Sequence, residues 1–397
     1  MNKTDIIAKE HYFDWAATAL QDSEILTDAL KYAADHWGNP SSIHAAGTDA
    51  HKALSECRKR CAAVLGVAAD TIFFTSGGTE SDHIPLLSVL TRPQKGSVLL
   101  SAIEHPALRE MAKMLSNCGW TFITVKPDKN GFISANEIVS KIQDDTVFVS
   151  VMAVNNETGA VQPIYEIADA LATFGKGKRK PFFHVDCVQA AGKIPLILSH
   201  QGIDSAALSA HKIGGPRGIG ILYLAKEITS FLRGGGQEKN VRSGTENLFG
   251  AAAFASCLEK YYINDKNQHM LERYNLQKDY TNEFIASLKA ISGCVLIPHE
   301  RGDSIANDRF SPWVVQAAFP GIPGQVMERA LSAEGFFIST GSACSAGHHA
   351  RPILDSMNVS AAEKESAVRF SFGEATTKKA MEELVEAVSK IVEKFRH

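Results

Sequence analysis

Short apolar runs in the first half of this chain end, one after another, in residues able to do chemistry. TIFFT (71–75) leads into Ser76, Gly77, Gly78, Thr79 and Glu80, and SVLLSAI (97–103) into Glu104 and His105. TVFVSVMAV (146–154) is followed by Asn155, Asn156 and Glu157; FFHVD (182–186) closes on Asp186, with Gln189 three residues on; SAALSA (205–210) gives way to His211 and Lys212. Packing has no use for polar groups at five such ends in succession. In an open parallel sheet, by contrast, ligands gather beyond the carboxyl ends of the strands.

Each candidate has a chemical and a structural reading. SGGTES puts glycines where a strand turns into a helix, so backbone N–H groups can approach an anion and Thr79 can add its hydroxyl; an ordinary Gly-Gly turn with a capping Thr has the same letters. Asp186, at the end of an apolar run, makes sense as the partner of a cation such as a protonated pyridine nitrogen, or as a helix cap. Gln189 can face the same place and donate to a phenolic oxygen. Lys212 is able to form an imine with an aldehyde if its site lowers its pKa, and is otherwise a surface lysine beside a turn. His105, before Pro106, can stack on a flat ring or merely be hydrogen-bonded in place. One cofactor unites them: pyridoxal 5'-phosphate (PLP) needs a lysine for its aldehyde, an acid for its pyridine nitrogen, a flat partner for its ring and an N–H cradle for its phosphate.

The elements that must position these residues are legible as alternation. From about residue 70 to 225 the apolar runs, which also include TFITV (121–125) and GIGILYLA (218–225), alternate with helical patterns, as crossover units of a parallel sheet do. In PIYEIADALATFG, Pro163 suits a first helical turn, Ile164, Ile167, Ala168 and Leu171 mark one face, and Gly175 supplies the stop. After residue 247 a charged helix-forming stretch and a shorter alternation follow, closing on TTKKAMEELVEAVSKIVEKF, where Met381, Leu384, Val385, Val388, Ile391, Val392 and Phe395 share a face. The 397 residues therefore divide into a large unit, 13–250, and a small one, 1–12 with 251–397. A net charge of −3 without a basic stripe argues against nucleic acid. No apolar stretch is long enough to span a bilayer, the N-terminus lacks a signal pattern, and no metal-ligand spacing stands out. Seven scattered cysteines without C-x-x-C pairs suggest free thiols and a cytoplasmic protein.

Taken in order, YFDWAATA (12–19), GNPSSIHAAG (38–47), SGGTES, EHPA (104–107), VNNETGAVQPI (154–164), HVDCVQAAGKIP (184–195), SAHKIGGPRGIGILY (209–223), GGGQEKNVRSGTEN (234–247), STGSACSAG (339–347) and VRFSFGEATT (368–377) resemble the motifs of cysteine desulfurases. These are class V aminotransferase-like enzymes of PLP fold type I. The resemblance covers nearly the whole chain. It implies an α/β fold, a large domain with a mostly parallel central sheet flanked by helices plus a smaller α+β domain. It implies conversion of L-cysteine to L-alanine, with sulfur passed to an enzyme cysteine. Lys212 matches the Schiff-base lysine, His105 the ring-stacking residue, Asp186 the pyridine partner and Gln189 the donor to the phenolic oxygen. Gly78, Thr79, Ser209 and His211 match the phosphate cup, which Thr245 would complete from the neighbouring subunit of a homodimer. Asn156 and Arg369 match the substrate-carboxylate pair, apt because guanidinium grips carboxylate bidentately. Cys344 matches the sulfur-accepting cysteine, and its small neighbours suit a thiol that must move between substrate and a sulfur-acceptor protein whose identity the sequence does not reveal.

The chain departs from the family pattern in four places. Asp82 and His83 stand where amides are usual, Gln316 where the small-domain strand usually carries asparagine, and Glu374 where an arginine or amide is common. None touches the cofactor motifs.

Overall fold

The computed structural model describes residues 9–175, 179–303, 307–341 and 351–396. Seven strands form the larger sheet: β1 (Ile72–Thr75), β2 (Ser97–Ser101), β3 (Thr121–Val125), β4 (Thr146–Ser150), β5 (Phe182–Asp186), β6 (Ser205–Ser209) and β7 (Gly220–Leu224). Their spatial order is β1-β7-β6-β5-β4-β2-β3. Pairs β2/β3, β2/β4, β4/β5 and β5/β6 are parallel, while β7 runs antiparallel to both its neighbours. Strands β2, β5, β6 and β7 are buried along nearly their whole length, as expected for a sheet covered on both faces. The crossover helix Ile164–Phe174 buries Ile164, Ile167, Ala168 and Leu171, with Pro163 just before its first turn and Gly175 at its end.

The three remaining strands, β8 (Val295–Ile297), β9 (Val314–Ala318) and β10 (Ala367–Ser371), make a second, antiparallel sheet in the order β10-β9-β8. Its core gathers Phe284, Trp313, Phe370, Phe372, Met381 and Leu384. Phe13 is buried in that core, and Asp14 bridges to Ser371. On the closing helix Lys378–Arg396, Met381, Leu384, Val388, Ile391 and Val392 are buried, but Phe395 is 49% exposed. The periodicity thus continues one turn past the surface it serves. The helix Leu248–Tyr261 packs its alanines into the core of the large sheet.

Among the described residues no helix is long and apolar enough to cross a membrane, and no cluster of three metal-ligating side chains occurs. No disulfide joins any two of the six described cysteines.

Candidate active site

A cavity of about 330 Å³ opens at the carboxyl ends of β1, β2, β4, β5 and β6. One end of it is the turn after β1, which carries the residues expected to form an anion cradle. Gly77 (φ 154°) precedes the helix Gly78–Leu87, whose first turn carries Thr79 and whose N–H groups are free for an anion. A Cβ on Gly78 would lie 2.7 Å from the Val188 side chain, so only glycine lets the turn pack against the segment after β5. Ser209 and His211 border the same cavity. The His211 Nδ1 lies 3.2 Å from Thr18 Oγ1, and burial, with Lys212 nearby, drops its pKa to about 3, so the ring is neutral.

The floor is acidic and enclosed. Asp186 accepts one bond from Val188 N (2.9 Å), a local turn that uses a single oxygen and leaves the other for the cavity. No helix follows Asp186, so it closes a turn and does not act as a helix cap. Burial and then the neighbouring Asp82 push its pKa up to about 7. Asp82, expected to lie apart from these motifs, instead lines the cavity beside Asp186 and is buried against His184, with Oδ1 3.1 Å from Nε2, while His184 Nδ1 meets Ser205 Oγ at 2.7 Å. Burial lowers the His184 pKa to about 4, so this imidazole is no cation for the acids around it. Glu104, raised to about 7 by burial, is held by Ser101, by Ser150 and by Met152 N (2.7 Å). Lys212 is the nearby cation that favours the Asp186 anion, and the carboxyl keeps one oxygen for a further partner in the cavity.

Lys212 enters from the turn after β6, its Nζ donating to the carbonyls of Ala16 (2.6 Å) and Ala17 (2.8 Å). His105 caps the helix Pro106–Asn117 through Nδ1, which accepts from Ala107 N, and turns its ring toward the cavity. Burial, reinforced by Lys212, lowers its pKa to about 4, which suits a neutral stacking surface. Gln189 donates from Nε2 to Ala16 O and accepts at Oε1 from Lys193 Nζ, each at 2.8 Å.

Opposite the floor, Arg369 on β10 donates to Asn156 O (3.0 Å) and Gly341 O (3.1 Å), and pairs through Nη2 with Asp14 (2.7 Å). The guanidinium is thus already gripped by a carboxylate of the chain. Its register partner across the small sheet is Gln316, wholly buried. Thr245 is exposed and does not line this cavity. Cys344 lies outside the described residues, though Gly341 and Pro352, on either side of it in sequence, border the cavity.

Not every polar residue at a strand end belongs to the site. Glu80 holds Ser76 N and Arg242, and Asn155 ties its own turn by accepting from Glu157 N and Thr158 N. Conversely, the sequence hid Asp14, Lys193 and His184. Their motifs are visible in YFDWAATA, AAGKIP and HVD, but their partners lie 100 or more residues away or across a turn of no regular period, so no spacing reveals them.

The aminotransferase class-V family model matches residues 11–384. The chain is 31% identical to a cysteine desulfurase IscS of Dictyoglomus turgidum, covering 98% of this chain and 96% of that protein. It is 33% identical to a putative cysteine desulfurase IscS 1 of Bacillus subtilis, over 97% and 99% respectively. A solved NifS-like protein superposes with a TM-score of 0.85 at 30% identity, over 96% of this chain and 99% of that one. The chain belongs to the class-V aminotransferase family, within its cysteine desulfurase group, and has the fold type I architecture. Members of this family use PLP. The residues present fit it: Asn156 Oδ1 is buried without a hydrogen-bond partner, Gly78 keeps the anion cradle open, and Asp186 keeps one carboxylate oxygen for the cavity.

Proposed function

We propose that the chain removes sulfur from L-cysteine, releasing L-alanine and holding the sulfur as a persulfide on Cys344, with PLP bound through Lys212. The observation that carries this reading is the meeting, in one cavity, of Lys212, Asp186, His105, Gln189 and the Gly78–Thr79 turn. When bound, PLP supplies an electron sink for the carbanion formed next to the substrate amine. Asp186 holds the ring nitrogen's proton, His105 fixes the ring plane, and Gly78, Thr79, Ser209 and His211 hold the phosphate. Lys212 would hold the cofactor's aldehyde carbon, and its amine, within reach of the Ala16 and Ala17 carbonyls, would carry protons to and from the substrate carbon. Arg369 and Asn156 bind the substrate carboxylate, which must displace or share the guanidinium with Asp14.

The Cys344 thiolate attacks the substrate sulfur, forming an S–S bond as the C–S bond breaks. The electron pair stays with carbon, which takes a proton to become alanine. A sulfur-acceptor protein then receives the outer sulfur. The enzyme works as a homodimer in the cytoplasm: Thr245 is exposed on its own subunit and reaches the partner's phosphate cup. Exposed Trp37, Ile43, Phe231 and Leu232 give the apolar surface that such a pairing would cover.

Incubation with L-cysteine and a thiol reductant tests the reading. Alanine and sulfide should appear in equal amounts, and before reduction mass spectrometry should find one added sulfur on the Cys344 peptide. Alanine without that sulfur adduct would refute the persulfide route.

A further inference from the structure

Lys193 follows β5 in a turn, and its side chain is buried beside two other cations, Lys212 and Arg369. Among the described residues no carboxylate pairs with it; its one hydrogen bond goes to Gln189 Oε1 (2.8 Å). The backbone carbonyl of Lys193 accepts from the indole of Trp313, which anchors the turn to the small sheet. A buried amine next to cations is costly, and that burial depresses its pKa well below the usual range. Packing alone would be served as well by methionine.

The amide of Gln189 is what Lys193 acts on. Ala16 O can only accept, so Gln189 Nε2 must face Ala16, and Oε1 then faces Lys193 and accepts from its amine. That leaves the second N–H of Nε2 for the cavity that Gln189 borders. A donor on the carbonyl end of an amide also strengthens its N–H as a donor. We propose that Lys193 is a positioning residue that locks and polarises Gln189, so that its free N–H holds the phenolic oxygen of the cofactor as the anion. This rests on the PLP reading above. A held phenolate makes the adjoining nitrogen, which links Lys212 to the cofactor, easier to deprotonate. The charged groups near this relay are Lys212 and Arg369. On the far wall of Lys193 a second cavity of about 250 Å³ carries Lys9, Glu374 and Asp22, the last already bound to Lys260 and Tyr261.

The test is a double-mutant cycle on protein reconstituted with PLP, following the pH midpoint of the cofactor's visible band. K193M should raise the midpoint by about one pH unit, Q189A should raise it at least as far, and the double variant should match Q189A because the lysine acts only through the amide. K193Q, neutral but still a donor, should shift it less than K193M, and keeps the cycle readable if K193M does not fold. Apoprotein melting should be unchanged or higher in K193M. An unmoved midpoint in K193M, or shifts that add in the double variant, would overturn the relay while leaving PLP binding intact. Wild-type protein that takes up no PLP would overturn the cofactor reading and the relay with it.

Discussion

Two buried clusters of charge lie in the large unit and are built on opposite principles. Glu238 receives both nitrogens of Arg58 (2.6 and 2.7 Å) and Phe74 N (3.0 Å), and the guanidinium also stands 4.9 Å from the Phe74 ring. Every charge there is answered within the chain. Beneath the cavity, Asp82, Glu104 and Asp186 surround His184, an imidazole that burial keeps neutral, and burial raises all three acids. The first cluster fastens β1 to a distant loop. The second is pushed by burial toward its neutral forms, with Lys212 the cation near Asp186, and shifted groups gathered at a cavity are what functional sites carry.

The contrast breaks most sharply at Lys212. Lys212→Ala should lower cysteine turnover on the order of 10⁴-fold, because it removes both the cofactor's attachment and the proton carrier. Borohydride reduction that fixed PLP to another lysine would show that the cavity has been read wrongly. Cys344→Ser should still bind PLP and respond spectrally to cysteine. It should form no persulfide and lose on the order of 10³-fold in sulfide release, since a hydroxyl is a poor nucleophile toward sulfur. An undiminished rate would point to a lyase that needs no cysteine.

Asp186→Asn should cost on the order of 10²-fold in turnover with PLP content nearly unchanged, the amide keeping the shape but not the charge. The same variant sharpens the electrostatic argument in apoprotein. Asp186 has an unfolded pKa near 3.9 and a folded one of about 7, so folding takes up a proton and stability falls as pH rises from about 4 to 7. His184, moved from about 6.5 down to about 4, makes stability rise over nearly the same window. The Asn variant loses the first and keeps the second together with the contributions of Asp82 and Glu104, so from pH 4 to 6.5 its melting temperature should move more in the rising direction than the parent's. Equal slopes by calorimetry would mean that Asp186 does not hold its proton. The mildest effect on chemistry belongs to the satisfied cluster: Glu238→Gln should lower stability by about 3 kcal/mol by stranding Arg58, yet leave turnover of the folded enzyme unchanged.

The apolar runs predicted all seven strands of the large sheet to within a few residues, because a strand buried on both faces must be apolar along its length, and only the edge strand β3 is largely open to solvent. The same runs pointed to Gly78, His105, Asp186, Gln189 and Lys212, since the residue after a parallel strand is carried to the ligand edge whatever the rest of the fold does. Periodicity overreached at Phe395, whose place on the apolar face says nothing about where the opposing surface ends. What only the tertiary structure decided was partnership. That Arg369 binds Asp14 depends on the small sheet meeting the N-terminal segment, that Asp82 binds His184 depends on a helix packing on the large sheet, and that Lys193 binds Gln189 depends on an irregular turn after β5. Local sequence encodes the direction in which a strand delivers its end; which charge waits there is set by chain segments up to 355 residues away.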